Sequence, residues 1–69
     1  MTIQIYIEKD FFESYRIAHF KVSTLPKYDR LDVVWNQLID NWSVIIESNE
    51  ETIKDYIAYL ESEQIALSY

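Results

Sequence analysis

Apolar and polar positions alternate strictly near the start of the chain, a pattern typical of a β-strand with one buried face. Residues 2–7 place three isoleucines on that face, so they are predicted to form the first strand. Residues 10–22 fit two structures, because their large apolar side chains have helical spacing while residues 16–22 could also form a strand. We favour a helix over 10–22 and keep a β-hairpin with the first strand as the alternative.

A second helix is predicted in the middle of the chain. Pro26 indicates a loop before it, because proline disfavours helical backbone angles at the preceding residue. The predicted helix covers about residues 29–41. Its apolar stripe consists of Leu31, Val34, Trp35, Leu38 and Trp42. A different face of the same helix carries Asp29, Asp32, Asn36 and Asp40.

The last third of the chain predicts a strand, a helix and a further strand. Residues 43–47 are a short apolar run bounded by polar residues, which is typical of a buried strand. Ser48 and Glu51 have the spacing of a capping box, which predicts a helix start. The outer face of that helix carries Glu51, Asp55 and Glu63. Residues 64–69 alternate again and are predicted to be the last strand.

Strands that are separated by helices favour a parallel sheet, because parallel neighbours need long crossover connections. The predicted fold class is therefore α/β, with a small three-stranded parallel sheet packed with two or three helices. The alternative is an α+β fold with an N-terminal β-hairpin. A chain of 69 residues has the size of a single domain, which we expect to span residues 1–69.

The formal net charge of −6 is distributed unevenly along the chain. Residues 1–30 contain four acids and five bases, whereas residues 31–69 contain eight acids and the single base Lys54. A negative surface repels phosphate backbones, so we expect no direct binding of nucleic acid. It attracts a basic protein, such as a nuclease or a DNA-binding protein. The same charge also fits a role in solubility alone.

The sequence lacks most of the side chains on which catalysis depends. It contains no glycine, no cysteine and one histidine, His19, which we expect to be a packed or surface residue. We therefore predict no enzymatic activity, no cofactor and no metal site. The missing cysteines and the absence of a cationic or long apolar segment favour a cytoplasmic protein that does not contact a membrane.

Residues 25–47 combine a Leu25-Pro26-x-Tyr28 segment, a Leu31-Asp32-x-x-Trp35-x-x-Leu38 spacing and an apolar strand. This combination resembles the central part of the barstar family of ribonuclease inhibitors. The resemblance implies parallel strands with helices packed on them, and inhibition of an intracellular ribonuclease through an acidic helix and the loop before it. Tyr28 would be the loop aromatic and Asp32 an acid of the helix, while Asn36 stands where the family has a further acid.

Three binding hypotheses follow, of which an acidic inhibitor of the immunity or antitoxin type is the first. Its predicted contact face consists of Tyr28, Asp29, Asp32, Asn36 and Asp40. The alternative is a DNA mimic that blocks a DNA-binding protein, as counter-defence proteins do. It would add the acids of the last helix, Glu51, Asp55 and Glu63, together with Glu47. The third hypothesis is self-association into a homo-oligomer through exposed apolar and aromatic side chains.

Overall fold

The computed structural model describes all residues, 1–69, and has an antiparallel sheet of four strands with two α-helices. In chain order the elements are β1 (Thr2–Glu8), α1 (Lys9–Val22), a single 3-10 turn (Pro26–Tyr28), β2 (Asp32–Gln37), β3 (Asn41–Glu47), α2 (Glu50–Ser62) and β4 (Leu67–Ser68). The strands lie in the order β2-β3-β1-β4, and every neighbouring pair is antiparallel. This order is that of the split βαβ, or ferredoxin-like, arrangement, which belongs to the α+β class.

The predicted three-stranded parallel sheet is wrong. Helix α1 does connect two strands that run in the same direction, β1 and β2, as a crossover requires. Strand β3 lies between them, however, and pairs antiparallel with both. The N-terminal hairpin of the alternative prediction is also wrong, because residues 9–22 are helical and β1 pairs with β3 and β4.

The helix predicted over residues 29–41 is wrong as well, because this segment contains β2 and the turn that joins it to β3. The backbone N–H of Leu38 donates to the Asn41 carbonyl at 2.9 Å across that turn. Val33 and Trp35 alternate toward the helices, whereas Val34 points to the opposite face and is 55% exposed. Consecutive β-branched residues followed by tryptophan favour a strand, and pairing with β3 outweighs the helical spacing.

The other predicted elements are confirmed in position. Strand β1, helix α1, strand β3 and helix α2 lie where the pattern predicts them, while β4 is shortened to Leu67–Ser68. The predicted capping box is wrong, because the cap of α2 is Asn49. Its side-chain oxygen accepts from the backbone N–H of Thr52 at 2.8 Å. The Ser48 hydroxyl is buried and has no hydrogen-bond partner.

The core lies between one face of the sheet and the two helices. Its buried side chains are Ile5, Ile7, Val44 and Ile46 from the sheet, Tyr15, Ala18 and Val22 from α1, Ile53, Tyr56, Ile57 and Leu60 from α2, and Tyr28 and Ile65 from the connections. Neither helix combines the length and the apolar character needed to cross a membrane. Because both helices pack on the same face of the sheet, the opposite face is left uncovered.

Candidate functional site

Four hydrogen-bonded side chains form a polar chain inside the aromatic part of the core. The indole N–H of Trp35 donates to the Tyr15 hydroxyl at 2.9 Å, and the hydroxyls of Tyr15 and Tyr56 are 2.8 Å apart. The Tyr56 hydroxyl lies 2.9 Å from Nδ1 of His19. An indole N–H can only donate a hydrogen bond. Every hydrogen of this chain therefore finds an acceptor only if Trp35 donates to Tyr15, Tyr15 to Tyr56, and Tyr56 to Nδ1 of a neutral His19.

Burial keeps these groups in their neutral forms. It lowers the pKa of His19 and raises the pKa of Tyr15 and of Tyr56 above the ordinary tyrosine value. His19 is half-buried and packs against the rings of Tyr15, Trp35 and Tyr56. Of the two predicted placements of His19, packed or on the surface, the structure shows the packed one, and the hydrogen bonds of this chain join uncharged groups.

The five residues of the predicted inhibitor face do not share a helix face. Tyr28 is buried and its ring packs against Tyr56, with the ring centroids 6.0 Å apart. Asp29 follows the 3-10 turn, and Asp40 lies in the turn between β2 and β3. Asp32 and Asn36 are exposed on β2, where their even spacing places both on the uncovered side of the sheet.

Three of the four acids that the alternative hypothesis adds lie on another surface, along α2, whereas Glu47 ends β3 on the uncovered side of the sheet. Glu51 is in the first turn of that helix, and Glu63 follows its last residue. Asp55 forms an ion pair with Lys27, whose Nζ lies 3.2 Å from a carboxylate oxygen. This pair partly neutralises the row of acids on α2, so the row is less negative than the sequence indicates.

The uncovered side of the sheet, which we call the open face, carries acidic side chains and no basic ones. Cross-strand register defines its members, since side chains of paired residues point to the same side. They are Thr2, Gln4, Tyr6 and Glu8 of β1, Asp32, Val34 and Asn36 of β2, Asn41, Ser43, Ile45 and Glu47 of β3, and Ser68 of β4. Its three acids stand at opposite ends, with Glu8 at one end and Asp32 and Glu47 at the other.

Asp32 and Glu47 lie directly opposite each other on β2 and β3. Like charges in this position destabilise a sheet, and no basic side chain of the open face compensates them. The only side-chain hydrogen bond to Glu47 comes from the Thr2 hydroxyl, at 3.1 Å. This end of the open face is therefore a place where a cationic group of another molecule would relieve an existing repulsion.

The centre of the open face carries a small apolar patch beside a polar pair. Val34 is 55% exposed, and the paired Ile45 and the nearby Tyr6 are half-buried. The amide of Gln4 donates to the Ser43 hydroxyl at 2.7 Å, which fixes a polar pair beside them. An apolar centre between charged ends has the composition of a protein-binding surface, with a desolvated core and a polar rim.

Comparison of the chain with protein-family models, with curated proteins and with solved structures gives no match. Asp32, Asn36 and Glu47 of the open face are among the binding residues predicted from the sequence, whereas Glu8, Tyr6 and Ile45 are not. The sequence signal for these three residues is the alternation of side chains along β1 and along β3. It places Glu8, Tyr6 and Ile45 on the same side of the sheet once the two strands are paired.

Proposed function

We propose that the protein is an acidic inhibitor that binds, through its open face, the basic nucleic-acid-binding surface of another protein, most directly the active site of a nuclease. The observation that carries this proposal is the uncovered sheet face with an apolar centre, acids at both ends and no base. Such a face attracts a basic cleft over a distance and then offers it contacts that exclude water.

The geometry of the acids supports a basic partner with separated cationic groups. Strand β1 spans seven residues, so the two ends of the open face are roughly 20 Å apart at about 3.4 Å per residue. Asp32 and Glu47 at one end and Glu8 at the other could each accept charge-assisted hydrogen bonds from arginine or lysine. The repulsion between Asp32 and Glu47 would be relieved on binding, which adds to the affinity for a cation.

The alternative is a DNA mimic that would add Glu47, Glu51, Asp55 and Glu63 to the first contact face, and its α2 acids have less support. The Lys27 ammonium lies against Asp55 and offsets its charge. At the start of α2, a shallow hollow is lined only by charged side chains, those of Glu50, Glu51, Lys54 and Asp55. The proposal includes a cytoplasmic location, which a chain without cysteine favours.

The test is affinity capture from a lysate of the source organism, followed by a nuclease assay on the captured protein. The variant Glu8→Gln/Asp32→Asn/Glu47→Gln neutralises the open face, and the variant Glu51→Gln/Asp55→Asn/Glu63→Gln removes three charges from the α2 surface. We expect the first variant to lose capture and inhibition, because each lost charged contact costs about 1.5–3 kcal/mol. The second should retain both.

Two results would contradict the proposal. Loss of binding with the α2 variant alone would move the site to α2 and favour the mimic. Capture of a partner that neither binds nor cleaves nucleic acid would reject the inhibitor function, even if the open face mediates the contact.

A further inference from the structure

The sheet ends on one side at β2, whose outer edge is free and has few of the features that normally protect such an edge. Strand β2 has no lysine and no proline, its one charged side chain, Asp32, is at its first position, and it pairs with β3 over six consecutive residues without a bulge. The other edge strand, in contrast, is β4, which is only two residues long. Natural proteins shorten, bend or charge their edge strands, because a regular free edge pairs readily with another strand.

The backbone groups that face this edge can be identified from the turn between β2 and β3. The Leu38 N–H donates to the Asn41 carbonyl, so residues at even positions of β2 direct their backbone groups toward β3. The alternate residues Val33, Trp35 and Gln37 therefore direct their N–H and C=O groups outward. They form one row of donors and acceptors without a partner inside the chain.

We propose that two copies of the chain associate by antiparallel pairing of their β2 strands about a two-fold axis at Trp35. Val33 of one copy then lies opposite Gln37 of the other, and the two Trp35 residues pair with each other. Each of these pairs exchanges two hydrogen bonds, so the three pairs supply about six. The two sheets join into one continuous sheet, and the open faces of both copies stay uncovered and lie side by side.

Charge complementarity selects this register and indicates a second copy as the occupant. With the axis at Trp35, the segment before β2 of one copy, which carries Arg30, lies beside the β2–β3 turn of the other, which carries Asp40, at both ends of the paired strands. Asp32 lies opposite Leu38 of the second copy, so no like charges meet. An axis at Asn36 would bring Asp32 of one copy beside the turn that carries Asp40 of the second copy, where the two acids repel each other.

Exposed apolar side chains flank the edge on both faces of the sheet. On the helix side, Phe20 is 55% exposed and its ring lies 6.0 Å from the ring of Trp35. On the open side, Val34 is 55% exposed, and beyond the strand Ile39 is 91% exposed. The proposed register brings the β2–β3 turn, which carries Ile39, beside the segment that carries Leu31 of the second copy, so pairing would remove apolar surface from water as well as satisfy backbone groups.

Sedimentation equilibrium together with amide hydrogen exchange tests the pairing of the two β2 strands. Neither measurement requires the basic partner protein of the proposed function. We expect the mass to rise with concentration toward twice the monomer mass of 8.3 kDa. The amides of Val33, Trp35 and Gln37 should become protected over the same range of concentration. A monomer at every concentration, or a dimer in which these amides exchange freely, would overturn the proposal.

Charge exchange across the axis tests the register. Arg30→Glu and Asp40→Arg should each raise the dimer dissociation constant roughly tenfold, since two exposed ion pairs become two repulsive ones. The double variant should recover the affinity of the unchanged chain, and Lys54→Glu, which changes the charge on α2, serves as the control. A double variant that dimerises no better than the single variants would overturn the register.

Discussion

Among the individual residues, Trp35 and His19 determine how the buried polar chain works. Trp35 can only donate, so the three hydrogen bonds from Trp35 to His19 use the three hydrogens of Trp35, Tyr15 and Tyr56. Protonation of His19 at Nδ1 would add a fourth donor hydrogen, while the chain still has only three hydrogen bonds. One buried donor would then lose its acceptor, which is costly in a core of aromatic rings.

This arrangement predicts a loss of stability in mild acid. Burial lowers the pKa of His19 in the folded chain below the value of about 6.5 expected in the unfolded chain. The stability contributed by neutral His19 is therefore fully present above that value and is lost as the pH falls through the lowered pKa. Urea denaturation between about pH 7 and pH 5 should show a falling free energy of unfolding, before most carboxylates titrate.

The control for this prediction is His19→Gln, whose side-chain oxygen can accept from Tyr56 but which does not titrate. Its free energy of unfolding should depend less on pH over the same range. Equal slopes for both proteins would show that another group causes the acid sensitivity.

Among the secondary-structure elements, those with a clear local sequence pattern could be predicted, whereas the pairing of the strands could not. The alternation in β1 and the helical spacing in α1 and α2 depend on neighbouring residues, and their positions were correct. Strand β2 was mispredicted because Leu31, Val34, Trp35 and Leu38 also fit a helix. The turn at Ile39 and Asp40 contains no glycine and no Asn-Gly pair, so the usual hairpin signal is absent.

The end of α2 provides a prediction for a single element. Gln64 has φ of 61°, the left-handed conformation that favours glycine, in a chain without any glycine. Gln64→Gly should therefore raise the free energy of unfolding by roughly 0.5–1 kcal/mol, as relief of this strain exceeds the added freedom of the unfolded chain. Thermal and urea denaturation measure the change.

Gln64→Ala is the matched variant, because alanine shortens the side chain and keeps the Cβ that causes the strain. It should give no comparable gain. If alanine stabilised the protein as much as glycine, the effect would come from the glutamine side chain and not from the backbone.

At the scale of the whole molecule, two residues of the predicted acidic face, Asp32 and Asn36, still share one surface although the predicted fold was wrong. Asp32 and Asn36 are four residues apart, and this spacing keeps two side chains on one side of either a helix or a strand. Asp29 and Tyr28 lie outside β2, and the fold places them elsewhere. The remaining acids of the open face, Glu8 and Glu47, come from β1 and β3, whose positions beside β2 depend on long-range pairing.

The proposed function depends on the uneven covering of the two sides of the sheet. Two helices bury one side, and the open face keeps an apolar centre with uncompensated acids at both ends. The acids of the proposed contact surface come from three strands, with Glu8 from the first half of the chain and Asp32 and Glu47 from the acidic second half. We therefore expect a basic partner to contact the sheet and to leave both helices in water.

Amide hydrogen exchange of the complex with the captured partner tests this claim most directly. We predict that added protection is confined to β1, β2 and β3 and weakens at high salt, because acids at both ends of the open face mediate the contact. Protection confined to α1 or α2, with the strands unchanged, would contradict the account.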